Sequence, residues 1–220
     1  MQGQRRGKFE IVELSRLQRS VLVGTLLGDG CLALHGRNPR LHVKHKGSHR
    51  ALVDFKRQVF EDYTSMAVHE FDQRLGGKLF PCAQFATRTS TAFLEWYHLF
   101  YRDGRKVVPR EIDQLLSPLG LAVWFMDDGA ADHAGVTFQT HSFSLDEVQL
   151  LSRAMDDLFH LATRIRKNRD RWIIYVPAAS MDRLQSLVRP WLLAEFAYKF
   201  ARRSRNPVET KRWPPTARLG

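Results

Sequence analysis

The sequence predicts an α+β protein built from two similar halves. Two observations indicate this fold class. An apolar run that ends in Asp-Gly occurs twice, at residues 22–30 and at residues 121–129. Each copy is followed by the same succession of strand-like, helical, strand-like and again helical segments. A repeat of this length is typical of one supersecondary unit that is present in two copies.

The first half begins with a helix that starts near Leu14 and contains the first apolar run. Gly is the usual residue just past a helix end, so the Asp-Gly marks where this helix stops. Asn38-Pro39 is a turn signal ahead of a segment in which apolar and basic residues alternate, as in a half-buried strand. The later predicted elements are a strand over 41–46, a helix over 51–63, a strand over 84–89 and an aromatic-rich helix over 92–101.

The second half repeats this order. Ser117-Pro118 is a helix start signal directly before the second apolar run. The predicted elements after that run are a strand over 136–141, an amphipathic helix over 145–159, paired strands over 164–166 and 172–176, and a helix over 181–188. The predicted organisation is a first half over 12–104, a linker over 105–120, a second half over 121–200 and a basic tail over 201–220.

The composition indicates an intracellular protein with a polyanionic partner. Lys and Arg number 34 against 23 Asp and Glu, a formal net charge of +11, which makes nucleic acid the first candidate partner. A membrane partner is disfavoured, because no apolar run approaches the ~20 residues that span a bilayer and no long amphipathic basic helix is present. Two cysteines, Cys31 and Cys82, are too few for a disulfide framework. With no secretory signal, they favour a reducing compartment, either a prokaryotic cytoplasm or an organelle matrix.

The repeated Asp-Gly places one carboxylate, Asp29 or Asp128, at the end of each apolar helix. A carboxylate there faces the negative end of the helix dipole at a cost of roughly 0.3 to 1 kcal/mol, which predicts a compensating positive group. If the two helices pack together, their ends converge and the paired carboxylates suit a hard divalent cation. Such packing also explains Gly24, since a mid-helix Gly costs about 1 kcal/mol relative to Ala. A plain turn at each Asp-Gly is the alternative.

The two runs resemble the signature helices of the LAGLIDADG homing endonucleases, in the single-chain form that carries two copies. The motif departs from its namesake where Val123 replaces a Gly and where Gly28 and Asp127 replace the penultimate Ala. Other segments resemble the yeast mitochondrial intron-encoded members, and the resemblance spans about residues 12–200. These segments are Lys106-Val-Val-Pro109, Gln139–Phe143 with Asp146–Val148, Trp172–Tyr175, and Pro190–Leu193 with Tyr198-Lys199.

The resemblance implies two αββαββα-like halves, with the motif helices at their interface and a saddle-shaped antiparallel sheet in each half that faces duplex DNA. It implies a site-specific endonuclease of intron homing that cuts one strand per active site and leaves a staggered break with 3′ overhangs. The implied metal is Mg²⁺, for which Mn²⁺ can substitute. The implied metal positions are Asp29 and Asp128 with the preceding Gly28 and Asp127.

The resemblance also implies the remaining catalytic residues and the partner. By motif position, Lys106 and Lys199 are the basic residues that offset charge on the scissile phosphate of each strand. The partner is double-stranded DNA with a long target of about two helical turns. Internal duplication favours a monomer, because one chain already supplies both aspartates.

The predicted strands supply a surface for reading DNA. Long polar side chains alternate with apolar ones, as phosphate and major-groove contacts require. The same alternation occurs in any sheet with one face in water. The candidate DNA-binding residues are Arg40, His42, Lys44, Lys46, Gln84, Arg88, Gln139, His141, Arg164 and Arg166.

The sequence leaves three alternatives to the nuclease. A zinc site of His42, His45 and His49 with a cysteine is disfavoured, because no CxxC pair accompanies the histidines. Related proteins act as intron RNA maturases, and the same basic surfaces suit RNA. Others bind DNA as regulators after losing the acidic residues, but both aspartates are present here, which favours the nuclease.

Overall fold

The computed structural model describes residues 13–200 and confirms the α+β class. The N-terminal residues and the predicted basic tail over 201–220 lie outside the described residues. The first half contains α1 (Arg16–Leu27), β1 (Cys31–His35), β2 (Asn38–Lys46), α2 (Arg50–Val59), β3 (His69–Leu75), β4 (Lys78–Ala86) and α3 (Leu94–Phe100). A connecting segment contains β5 (Tyr101–Arg102), β6 (Arg105–Lys106) and α4 (Ile112–Leu115). The second half contains α5 (Pro118–Asp128), β7 (Gly129–Asp132), β8 (Gly135–Phe138), α6 (Leu145–Phe159), β9 (Arg164–Asn168), β10 (Arg171–Val176) and α7 (Met181–Val188).

The two halves share one topology. The first sheet has the strand order β1-β2-β4-β3 and the second has the order β7-β8-β10-β9. Neighbouring strands are antiparallel in both sheets. Each half therefore has the order αββαββα, as the resemblance to the LAGLIDADG proteins implies.

Serine caps begin the two motif helices. The Ser15 side chain accepts a hydrogen bond from the Gln18 backbone, and the Gln18 side chain accepts one from the Ser15 backbone, which completes a capping box at the start of α1. The Ser117 side chain caps α5. Pro118 takes the first helical position there, where a backbone N–H has no intrahelical partner to lose.

Helices α1 and α5 pack side by side through the centre of the molecule. A Cβ atom added at Gly24 would overlap the carbonyl oxygen of Gly120 and would lie 2.8 Å from the Cβ of Val123. Glycine is therefore required at this contact, as the sequence predicts. A Cβ atom added at Gly28 would overlap the Asp127 side chain. Residue numbers at the contact therefore rise in the same direction along both helices, so the helices run parallel. Their C-terminal ends meet at one place, where both motif aspartates lie.

The sequence does not predict β1, β3 or β7, and it places the strand over 84–89 too late, since β4 runs from Lys78 to Ala86. Strand β3 is mostly polar and none of its residues is buried, so it lacks the alternation that marks a half-buried strand. Strands β1 and β7 follow the motif glycines directly and are short. None of the helices within residues 13–200 is both long and apolar enough to cross a membrane.

Candidate active site

The two motif aspartates lie at the joined ends of α1 and α5. Helix α1 ends at Leu27, Gly28 caps it and Asp29 follows, whereas Asp128 is the last residue of α5. The Asp29 side chain is half-exposed, at 51%. Burial, together with the nearby charges of Asp29 and Asp127, raises the pKa of Asp128 to about 8. The predicted convergence of carboxylates is therefore present, and the charges of Lys106 and Lys199 oppose the rise in the pKa of Asp128 without cancelling it.

Asp127 has a positively charged partner in Lys56 of α2. The Lys56 ammonium lies 2.7 Å from each carboxylate oxygen of Asp127, and both side chains are fully buried. Oxygen Oδ2 of Asp127 also accepts a hydrogen bond from the backbone N–H of Asp29 at 3.3 Å. The side chain thus reaches from the second half to the end of α1, over the space that Gly28 leaves open.

His45 bridges two of these carboxylates. Its Nδ1 lies 3.3 Å from Oδ2 of Asp29 and its Nε2 lies 3.3 Å from Oδ1 of Asp127. Burial raises the pKa of Asp29, but the hydrogen bond with His45 and the charges of His45, Lys56 and Lys106 together lower it below the ordinary value. Asp29 is therefore held as a carboxylate next to a nearly buried imidazole.

The donor set at this centre fits a hard divalent cation. Asp29, His45 and Asp127 each offer one ligand atom, and these atoms lie within 4.8 Å of one another. Carboxylate oxygens are the ligands that Mg²⁺ and Mn²⁺ prefer. Because Lys56 already neutralises Asp127, the carboxylates whose charge a cation would balance are Asp29 and Asp128.

Lys106 and Lys199 occupy matching positions at the two helix ends. The Lys106 ammonium donates to the carbonyl oxygens of Gly28 and Gly30, at 2.9 and 2.8 Å. The Lys199 ammonium donates to the carbonyl oxygens of Phe125, Met126 and Asp127, at 3.3, 2.5 and 3.0 Å. Each lysine thus supplies the positive group that the helix dipole calls for.

The surroundings lower the proton affinity of both lysines. Burial lowers the pKa of Lys106, and burial lowers the pKa of Lys199 to about 8. In both cases the motif carboxylates oppose the shift without cancelling it. The structure brings both lysines to the motif aspartates, and their contact with a scissile phosphate stays a prediction.

The outer face of the first sheet carries most of the candidate DNA-binding residues of this half. Residues Arg40, His42, Lys44 and Lys46 alternate along β2 with buried Leu41, Val43 and His45. The register pairs Lys44 with Gln84 and Gln84 with His69, so all three side chains share one face. Arg88 instead lies beyond the end of β4, where its guanidinium donates to the carbonyl oxygen of Asp62.

The outer face of the second sheet contains Thr137, Tyr175 and Arg164, which the register places opposite one another. The Arg166 guanidinium stacks over the Tyr175 ring at 3.3 Å and forms an ion pair with Asp132. Two more candidates lie beyond the end of β8. The Gln139 amide donates to the Thr137 hydroxyl, and His141 is exposed in the following turn. Base or phosphate contact by any of these residues stays a prediction.

A model of the LAGLIDADG DNA endonuclease family matches residues 19–184. This chain belongs to that family. Over 194 residues it is 29% identical to the cytochrome b mRNA maturase bI2 of Debaryomyces hansenii, covering 84% of this chain and 74% of that protein. Over 202 residues it is 26% identical to the probable intron-encoded endonuclease 1 of Wickerhamomyces canadensis, covering 87% of each chain.

The fold of this LAGLIDADG protein is similar to that of the homing endonuclease I-WcaI, which was solved bound to its DNA recognition sequence. The TM-score is 0.81 at 24% identity, and the match covers 86% of this chain and 88% of that one. The full-length DUF199/WhiA structure matches with a TM-score of 0.55 at 14% identity, covering 83% of this chain and 58% of that one. These likenesses establish the architecture of the chain.

Sequence reasoning missed Lys56 at the centre of this LAGLIDADG protein, and it considered His45 only as a ligand of the disfavoured zinc site. Lys56 is a lone charge on the apolar face of the predicted helix over 51–63, and His45 continues the apolar side of the strand that contains Leu41 and Val43. A charged or polar residue on a buried face is a detectable signal, because burial of such a group needs a partner. The signal cannot name the partner, which comes from the other half of the chain.

In the absence of metal, the stability of this LAGLIDADG protein is expected to fall with rising pH because of Asp128. Its folded pKa of about 8 lies above the ordinary 3.8. The stabilisation that the protonated Asp128 side chain provides is therefore complete below its ordinary pKa. It is lost as the pH rises through the pKa of the folded state, and the free energy of unfolding falls by at most about 1.4 kcal/mol per pH unit. Denaturant unfolding with chelator at several pH values measures it. The same pH slope in Asp128→Asn as in wild type would contradict the assignment.

Proposed function

We propose that the chain is a site-specific DNA endonuclease of intron homing, which hydrolyses one phosphodiester bond in each strand of a duplex and leaves a staggered break with 3′ overhangs. The observation that carries this proposal is the pair of carboxylates, Asp29 and Asp128, at the joined ends of two parallel helices. Two like charges at the meeting point of two related halves suit one reaction centre for each strand. Membership of a DNA endonuclease family supports the same reaction.

The two aspartates hold divalent cations, with Mg²⁺ as the natural ion and Mn²⁺ as a substitute. A bound ion of this kind activates water and offsets the charge that grows on a phosphate and on the leaving oxygen. Burial and the charges of Asp29 and Asp127 raise the pKa of Asp128, and a neighbouring cation would offset both effects, which supports this role. Lys106 and Lys199 hold an ammonium at the end of each motif helix, where it would offset negative charge on a phosphate brought to that end.

The outer sheet faces bind the duplex. The polar side chains of β2 and β4 lie on one face of the first sheet, and the arginines of β9 lie on the corresponding face of the second. Arginine and glutamine in the major groove discriminate guanine and adenine, and lysine contacts phosphate. Two such sheets in one chain fit a monomer on a target of about two helical turns.

The test is cleavage of duplex DNA that carries the uninterrupted gene sequence from around the host intron. Linear product is expected with Mg²⁺ or Mn²⁺, and intact substrate is expected with chelator. Sequencing of the product ends determines the polarity and length of the overhang. Absence of both nicked and linear product on intron-free DNA, under conditions where the protein binds that DNA, would overturn the proposal.

Affinity for duplex DNA is expected to fall steeply with salt. Each phosphate that a Lys or Arg neutralises contributes a slope of about −0.9 to a plot of log affinity against log salt concentration. Fluorescence anisotropy in metal-free buffer measures this slope. Arg153→Met is the control, because Arg153 is exposed on α6, which packs on the opposite face of its sheet. A nearly flat titration of the wild type would contradict DNA binding by the sheets.

RNA maturation is a second candidate, because two of the relatives are named cytochrome b mRNA maturase. A maturase uses the basic surface to hold folded RNA and needs no cut in DNA. Splicing assays with the Asp29→Asn variant separate the two roles, since this change removes the proposed metal ligand and leaves the sheet faces intact. Retained splicing together with lost DNA cleavage would assign both functions to one chain.

A further inference from the structure

The pair of Lys56 and Asp127 is a feature that the proposed reaction leaves unexplained. Both side chains are fully buried and the ammonium contacts both carboxylate oxygens. Its third neighbour is Nε2 of His45, at 3.4 Å. All three groups lie beneath the half-exposed carboxylate of Asp29 rather than on the outer faces of the sheets.

This network is confined to one side of the pseudo-symmetric molecule, within the described residues. Position 28, which caps α1, corresponds to position 127 in α5, and it is a glycine. Helix α6 corresponds to α2, and its buried side chains are apolar: Val148, Leu151, Ala154, Met155 and Phe159. Of the two symmetry-related ion pairs that a duplicated fold could form across its interface, only the pair at the end of α1 is present among the described residues, so its role is specific to that end.

Stability does not supply that reason. Burial of an ammonium and a carboxylate carries a large desolvation penalty, and well-packed apolar replacements of such pairs are often neutral or stabilising. The geometry indicates a different role, because Asp127 accepts the backbone N–H of Asp29 and shares His45 with the Asp29 side chain. Fixing Asp127 therefore fixes both the backbone and the carboxylate of Asp29.

We infer that Lys56 is a positioning residue for the first reaction centre: it anchors Asp127, which with His45 holds Asp29 in its working orientation across the interface between the halves. This inference rests on the proposed endonuclease function, since it assigns Asp29 to one strand. Its consequence is asymmetric. Loss of the pair slows cleavage of the strand that depends on Asp29, and it leaves unchanged the cleavage rate of the strand that depends on Asp128.

The experiment compares wild type with the double variant Lys56→Met/Asp127→Leu, which removes both buried charges together. The expected unfolding midpoint is close to that of wild type, because neither charge is left alone. Single-turnover cleavage with each strand labelled should be at least tenfold slower on the strand that Asp29→Asn blocks, and within threefold of wild type on the other. Arg153→Met on exposed α6 is the charge-removal control and should cut both strands at wild-type rates.

A second readout needs neither metal nor DNA. Amide hydrogen exchange at Asp29, measured on the free protein, should be at least tenfold faster in the double variant, because its acceptor on Asp127 is gone. If the double variant does not fold, Asp127→Asn, which keeps the size of the side chain, should show the same strand selectivity and faster exchange.

Unchanged cleavage of both strands together with unchanged exchange at Asp29 would overturn the inference and leave the endonuclease proposal intact. Equal slowing of both strands would also overturn it, because the network would then be a general structural support. A wild-type protein that does not cut DNA would instead defeat the proposed function. The exchange measurement would still decide whether Lys56 positions Asp29.

Discussion

Asp29→Asn and Asp128→Asn are each expected to abolish double-strand cleavage while they leave specific DNA binding in place. Asparagine has nearly the same size and keeps an oxygen, but it lacks the negative charge that attracts a divalent cation. The loss in rate on the affected strand should be ~10³-fold or more, since the remaining groups cannot replace the cation. Binding should persist because neither carboxylate lies on the outer faces of the sheets.

Single-turnover assays on supercoiled plasmid measure this effect, since they resolve nicked and linear product. One variant is expected to accumulate DNA nicked in one strand and the other to accumulate DNA nicked in the opposite strand. Asp157→Asn, an exposed acid on α6, is the matched control and should cut normally. Full cleavage of both strands by both motif variants in Mg²⁺ would show that these aspartates are not the metal ligands.

Substitution of Lys106 or Lys199 with methionine is expected to slow cleavage more than it weakens binding. An ammonium beside the scissile phosphate stabilises the negative charge that grows on it during the reaction. Its loss therefore raises the barrier by ~3 kcal/mol, about a hundredfold in rate. Methionine keeps much of the side-chain volume at these enclosed sites. Since each lysine also bonds the carbonyl oxygens of a motif helix, unfolding curves are needed beside the rates.

The contrast is Lys44→Ala on the outer face of β2. A lysine that only touches the DNA backbone should lower affinity and reduce the salt slope by about one unit, with the single-turnover rate intact. Slowing of one strand by Lys106→Met and of the other by Lys199→Met would assign one lysine to each centre. If both variants cleave at wild-type rates at saturating enzyme, the two lysines stabilise the helix ends and do not take part in cleavage.

Local pattern was enough to predict the parts of the fold that depend on it. The apolar runs, their Asp-Gly ends and Gly24 predict two packed helices, and the added Cβ at Gly24 overlaps its neighbour as that prediction requires. Strand β3 was missed because its sequence, His-Glu-Phe-Asp-Gln-Arg-Leu, has no apolar face to bury. Pairing with β4 makes it a strand, and pairing is a long-range property that a local window does not contain.

The candidate site was predictable to the same extent. The repeat identifies Asp29 and Asp128, because a residue that occurs at the same position in both copies is found by comparing the two halves. Asp127 was predicted only by its place in the motif, and its partner Lys56 was not predicted, because neither residue has a counterpart in the other half. Their bond joins α2 to α5, and only the folded structure brings those helices together.

Metal binding by the carboxylates of Asp29 and Asp128 is the basis of the proposed DNA cleavage. Anomalous scattering from Mn²⁺ in crystals of the protein bound to duplex target DNA tests this binding. Both aspartates are expected to contribute an oxygen ligand, each at a metal distance of about 2.0 to 2.6 Å, next to the phosphates to be cut. Ions bound only at His45 and Asp127, with neither motif carboxylate in contact, would contradict it.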